Sequence, residues 1–97
     1  MVTYKNLTLL IGLPNIGDTL AKQLNNVGIT NYQELKATGS RNALQKIALL
    51  DNNGACLSML YALEGAIQGI RWHALPEQKK FELKEFYKRM LKKDRLT

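Results

Sequence analysis

Leu13-Pro14-Asn15-Ile16-Gly17, running into Asp18-Thr19-Leu20-Ala21-Lys22-Gln23-Leu24, is the stretch whose reading decides the fold of this chain. The first five residues spell a tight turn between two short helices. Proline fixes its own φ, and glycine reaches φ > 0 where other residues are strained. Leu13 and Ile16 are expected to anchor the turn in a core. The helix that begins at Asp18 presents backbone N–H groups at the positive end of its dipole. Such a helix start suits an anion, a nucleic-acid phosphate among them.

Working outward, Leu7, Leu9, Leu10 and Ile11 suit a short helix ending near Gly12. On the other side, Leu20, Leu24 and Val27 share one face of a helix through Asn26, which Gly28 stops. Thr30 or Asn31 caps a short helix holding Tyr32 and Leu35, which ends near Gly39. Ser40 caps the next, with Ala43, Leu44, Ile47, Ala48 and Leu50 inward, and Asp51-Asn52-Asn53-Gly54 is the clearest loop. From about Ala55 to Arg71 the chain reads as a helix that is apolar almost all round, and such a helix belongs in the centre of a domain. Its Ala62, Gly65, Ala66 and Gly69 form a seam of small residues. Each glycine in a helix costs about 1 kcal/mol against alanine, so two of them predict another helix crossing close by. Glu64 and Gln68 mark the wet edge of this helix, with Tyr61 beside them as a surface or hydrogen-bonding residue. Pro76 and Glu77 open a long final helix whose inner stripe is Leu83, Phe86, Tyr87, Met90 and Leu91. No period-two run predicts a strand. The expectation is a compact, all-α domain of five to six helices over residues 1–97, with Leu57, Leu60, Leu63 and Ile67 at its centre.

Composition agrees with that frame. Ninety-seven residues suit one core, and 45% hydrophobic residues exceed what a disordered chain carries. No apolar run approaches the roughly 18 residues of a membrane span, and Met1-Val2-Thr3-Tyr4-Lys5 is not the start of a signal peptide. The single cysteine, Cys56, reads as a buried thiol in a reducing compartment, which predicts cytoplasmic residence. The net charge is +6, and residues 77–97, with eight Lys/Arg against four acids, supply +4 of it. A basic surface attracts nucleic acid, anionic lipid or an acidic protein, and it is equally an ordinary solvated helix face.

The candidate residues follow from charge and turn. Asn15, Gly17, Thr19 and Lys22 surround the helix start, and Lys80, Lys84, Lys88 and Lys92 recur at four-residue steps along the last helix as a line of point charges. Glu82 and Glu85 interrupt that face, with Glu85 placed to pair with Arg89. Helix-hairpin-helix turns that grip DNA usually carry two glycines, followed by a proline and a lysine. Here Asn15 holds the earlier glycine position, and Asp18 and Thr19 replace the proline and lysine. Asp18 is expected to cap the helix and to repel a phosphate. The turn therefore reads either as a phosphate site or as a structural corner. Nothing presents an open aromatic for base stacking or an element that reads base edges. Catalytic residues, metal ligands and cofactor sites are expected to be none. His73 and Cys56 form no recognisable dyad, no Cys/His set has metal spacing, and no glycine-rich nucleotide loop occurs.

Leu13-Pro-Asn-Ile-Gly17, Leu20-Ala-Lys-Gln-Leu24, Val27-Gly-Ile29, Leu60-Tyr-Ala-Leu-Glu-Gly65 and Trp72-His-Ala-Leu-Pro76 together resemble the C-terminal domain of the TfoX/Sxy competence regulators, in that family's order and over nearly the whole chain. The resemblance implies an all-helical fold of helix-hairpin-helix, SAM-like type, here as a stand-alone bacterial domain without the N-terminal domain of the full regulators. It also implies a role in transcription or DNA-competence regulation. The expected partners are the DNA phosphate backbone or a transcription factor, with no membrane, and the chain is expected to be a monomer or weak homodimer. Two functions stay open: a small, non-sequence-specific nucleic-acid-binding accessory protein, and a protein–protein adaptor without nucleic-acid contact.

Overall fold

Helix stop signals divide the chain into α1 (Thr8–Ile11), α2 (Asp18–Asn26), α3 (Tyr32–Thr38), α4 (Ser40–Leu50), α5 (Leu57–Gln68), a single 3-10 turn (Trp72–Ala74) and α6 (Glu77–Leu96). This computed structural model describes residues 7–50 and 55–96, with side chains as far as residue 92. The expected loop at 51–54 and the start of the chain lie outside the described residues. Among the described residues every regular element is helical, as the sequence predicts.

The ends of the helices have local causes. Gly28 takes φ 86, and the N–H groups of Gly28 and Ile29 return to the carbonyls of Asn25 and Leu24, which closes α2. Gly69 does the same for α5 at φ 75, its N–H bonded to Ala66 O and that of Ile70 to Gly65 O. Both are helix stops with a left-handed residue just past the end, where glycine carries no Cβ penalty. Asn31 caps α3 by accepting from the Glu34 N–H at 2.8 Å, and the Glu34 carboxylate reaches back to the N–H and hydroxyl of Thr30 at 2.8 and 2.6 Å.

One leucine from each of five helices is fully buried (Leu10, Leu24, Leu35, Leu44 and Leu83), and α5 adds two, Leu60 and Leu63. α5 touches α3, α4, α6 and the 3-10 turn, so it is the central helix that its apolar sequence predicts. Leu57 and Ile67 of α5, also expected at the centre, are only partly buried and pack against the edge of the core. The molecule is 20 Å thick in its shortest dimension, two helix diameters at about 10 Å each.

Several expectations are corrected. α5 is shorter than the apolar run suggested, because Gly69 ends it rather than sitting in a seam. Ser40 does not cap α4. Its buried hydroxyl donates to Glu64 Oε1 at 2.6 Å, tying the start of α4 to α5, while Gln68 donates to the other carboxylate oxygen at 2.7 Å. Leu50 at the end of α4 and Leu91 on α6 are exposed, and Cys56 is exposed at the start of α5 rather than buried. Glu85 pairs with Lys88 at 3.8 Å, not with Arg89.

Candidate functional site

The hairpin is built differently from its sequence reading. Asn15, not Gly17, takes the left-handed conformation, at φ 70. Asparagine tolerates that region better than most side chains do. Its amide is then turned into the fold. Nδ2 donates to Ile70 O at 2.9 Å and to Ala62 O at 3.4 Å, and Oδ1 accepts from the Trp72 N–H at 3.1 Å. The side chain thus spends both its donor and its acceptor on the end of α5 and the chain beyond it. What Asn15 leaves for a ligand is backbone.

Gly65 on α5 faces this amide. A Cβ there would lie 2.6 Å from Asn15 Nδ2, 2.8 Å from Ile70 O and 3.2 Å from the Trp72 Cα. The close approach expected of the small-residue seam is therefore real at Gly65, but what comes close is a turn side chain and the returning backbone, not another helix.

Gly17 is the residue before α2, extended at φ −103, and no side chain caps the helix. Asp18 is the first helical residue and is exposed. Its charge favours the helix dipole without occupying the first-turn N–H groups, which corrects the expected cap. Thr19 and Gln23 of α2, Ser58 and Met59 of α5, and Arg71 with Trp72 line an open groove of about 410 Å³ beside the turn. Lys22 is exposed on the same helix.

The four candidate lysines of α6 divide into two kinds. Lys80 is drawn back to the connection before the helix: its ammonium donates to His73 O at 3.2 Å, lies 3.5 Å from Glu77 and sits 5.8 Å from the Trp72 ring. Trp72 stacks there on Tyr61 at 5.7 Å and on His73 at 3.8 Å between ring centroids. The Tyr61 hydroxyl donates to Lys80 O at 3.4 Å, so Tyr61 is part of this joint rather than a free surface residue. Through Trp72, Lys80 is linked to Asn15 and the hairpin. Lys84, Lys88 and Lys92 continue along α6 and are exposed. Lys84 and Lys92 have no carboxylate partner among the described residues, and Lys88 shares only the solvent-exposed contact with Glu85. Exposed pairs of this kind contribute little.

Two surface residues escaped the sequence reading. The apolar run places Arg71 in the last turn of a helix, but Gly69 ends the helix early and leaves it in the groove wall. Phe81 is 59% exposed, which corrects the expectation that no aromatic stands open. Its absence from the inner stripe of α6 was the one available signal.

Among the described residues no group of three or more His, Cys, Asp or Glu converges to hold a metal, and no helix is long and apolar enough to cross a membrane. No curated protein matches the chain. A crystal structure of an uncharacterized protein from Listeria monocytogenes, in a triclinic form, superposes with a TM-score of 0.81 at 51% identity, covering 84% of this chain and 91% of that one. A second, of a Listeria monocytogenes protein of unknown function in a tetragonal form, gives 0.78 at 52% identity, covering 81% and 96%. The sequence matches the TfoX C-terminal domain over residues 6–87, nearly all of the fold described above. The hairpin, the central helix and the Trp72–Pro76 connection are thus parts of one known design, and the chain belongs to the TfoX C-terminal domain family.

Proposed function

We propose that this chain is a non-enzymatic accessory domain of bacterial transcription or DNA-competence regulation, and that it binds nucleic acid weakly and without sequence preference through the outer face of α6. The observation that carries the reading is the exposed row Lys84, Lys88 and Lys92, on the side of α6 opposite the buried Leu83. Lysines in line neutralise phosphates and release counterions, which gives affinity without sequence information. Base-edge readout has no part in this reading, so no sequence preference is expected. Fluorescence anisotropy of labelled DNA and RNA at several salt concentrations tests it. Three phosphate contacts predict a log–log salt slope of roughly −2 to −3, and Lys84→Glu with Lys88→Glu should remove most of the binding. Absence of binding at low salt, or binding that the double charge reversal leaves intact, refutes this reading.

The groove beside the hairpin supports a second reading, a protein–protein adaptor. Its walls mix Met59 and Trp72 with the polar Thr19, Gln23 and Ser58 and one charged side chain, Arg71, and the Asp18 carboxylate in the first turn of α2 disfavours phosphate at that helix start. If no nucleic acid binds, capture of partners from the native cytoplasm should depend on Thr19, Gln23 and Arg71. Tyr61 and Glu64 are poor probes, since both make hydrogen bonds that hold the fold together.

A further inference from the structure

Phe81 stands in a setting that the phosphate-directed reading leaves unused. One exposed apolar side chain is ordinary on a protein surface, so its 59% exposure alone argues nothing. Its neighbours do. At 100° per residue, Phe81, Lys84, Lys88 and Lys92 fall on one face of α6, opposite Leu83 and Met90, with rises of about 4.5, 6 and 6 Å between them. The ring therefore begins a line of ammonium groups. Base faces are hidden inside a duplex stack and open on a single strand, where aromatic side chains and a basic track act together. We propose that this face holds single-stranded nucleic acid in preference to duplex, Phe81 stacking on one base while Lys84 and Lys88 hold the phosphates that follow it. The proposal rests on the nucleic-acid reading above and adds strandedness to it.

Charge and area single out this occupant. An anionic membrane surface needs a broad apolar face on the helix. Among the described side chains on the outer side of α6, Phe81 and Leu91 are the apolar ones, about 15 Å apart along the axis. An acidic protein segment would use the lysines and leave the ring idle. Glu85 lies within the same face, 3.8 Å from Lys88, and opposes the strand. Its removal should therefore tighten binding.

The test compares an oligothymidylate with a duplex of equal length by anisotropy at low salt, for wild type, Phe81→Ala, Phe81→Trp and Glu85→Gln. The single strand should bind several-fold more tightly than the duplex. Phe81→Ala should weaken single-strand binding about tenfold, the scale of one lost base–aromatic stack, and change duplex binding little. Phe81→Trp should retain the preference and show fluorescence quenching on binding beyond that of wild type, whose tryptophan is Trp72. Glu85→Gln should strengthen binding. Circular dichroism should be unchanged throughout, because Phe81 projects into solvent. Equal affinity for both nucleic acids, or full binding by Phe81→Ala, overturns the proposal, and leaves the broader reading standing if Lys84→Glu with Lys88→Glu still abolishes binding. Binding to anionic phospholipid vesicles but to neither nucleic acid overturns both.

Discussion

Asn15 is the residue on which the hairpin depends. One side chain adopts a left-handed backbone and supplies three hydrogen bonds to segments 47 to 57 residues away. Its replacement by alanine removes those bonds and leaves the Trp72 N–H and Ile70 carbonyl to find other partners. The expected cost in urea unfolding is about 2–4 kcal/mol, from hydrogen bonds worth about 1 each and the penalty for unpaired groups. Gly65 is the other half of the contact. A helical glycine replaced by alanine ordinarily gains about 1 kcal/mol. Here the methyl would meet Asn15 Nδ2 at 2.6 Å and a backbone carbonyl at 2.8 Å. Gly65→Ala should instead lose about 1–3 kcal/mol. In the double variant with Asn15→Ala the two costs should not add, since one of the clashing groups is gone. Additive costs, or a Gly65→Ala protein as stable as wild type, would show that the approach is looser than the geometry describes.

At the scale of the element, α5 illustrates how one glycine decides a length. Its apolar character runs on past Gln68 through Ile70 and Trp72, yet the helix stops, because Gly69 in the left-handed region turns the Ile70 N–H back onto Gly65 O. That turn releases Arg71 and Trp72 to line the groove and brings the Trp72 N–H to Asn15. Gly69 has open space around the place of its missing Cβ, so Gly69→Ala should cost only the conformational penalty, about 1–2 kcal/mol, without steric strain. Asparagine at the same position should recover part of that loss. Thermal denaturation of the two variants separates this backbone cause from the packing cause at Gly65, where asparagine should be worse than alanine.

For the whole molecule the question is whether the hairpin and α6 serve one ligand. Trp72 joins them: it meets Asn15 through its backbone and Lys80 through its ring. Asp18 offers the probe, being exposed and uncommitted to a cap. Asp18→Lys should cost about 0.3–1 kcal/mol of stability by opposing the α2 dipole. It should nonetheless strengthen nucleic-acid binding several-fold at low salt, and the gain should fade at high salt. A stability loss with no gain in binding would make the hairpin a structural corner and leave α6 to act alone.

Periodicity and breakers were sufficient for much of this protein. The 3.6-residue repeats of α2 and α4, the stops at Gly28 and Gly39, and the apolar surround of α5 depend on neighbours a few residues apart, so they are legible in the chain. The basic character of α6 is legible for the same reason. Tertiary structure decided what depends on residues far apart in sequence. It moved Asn15 from ligand-facing turn to internal clasp, because Ile70 and Trp72 arrive beside it only when α5 ends. It bound Ser40 to Glu64 instead of to its own helix, and set Lys80 against Trp72 while leaving Lys84, Lys88 and Lys92 in solvent. Polar side chains choose among competing partners, and the partners that prevail here are delivered by the fold.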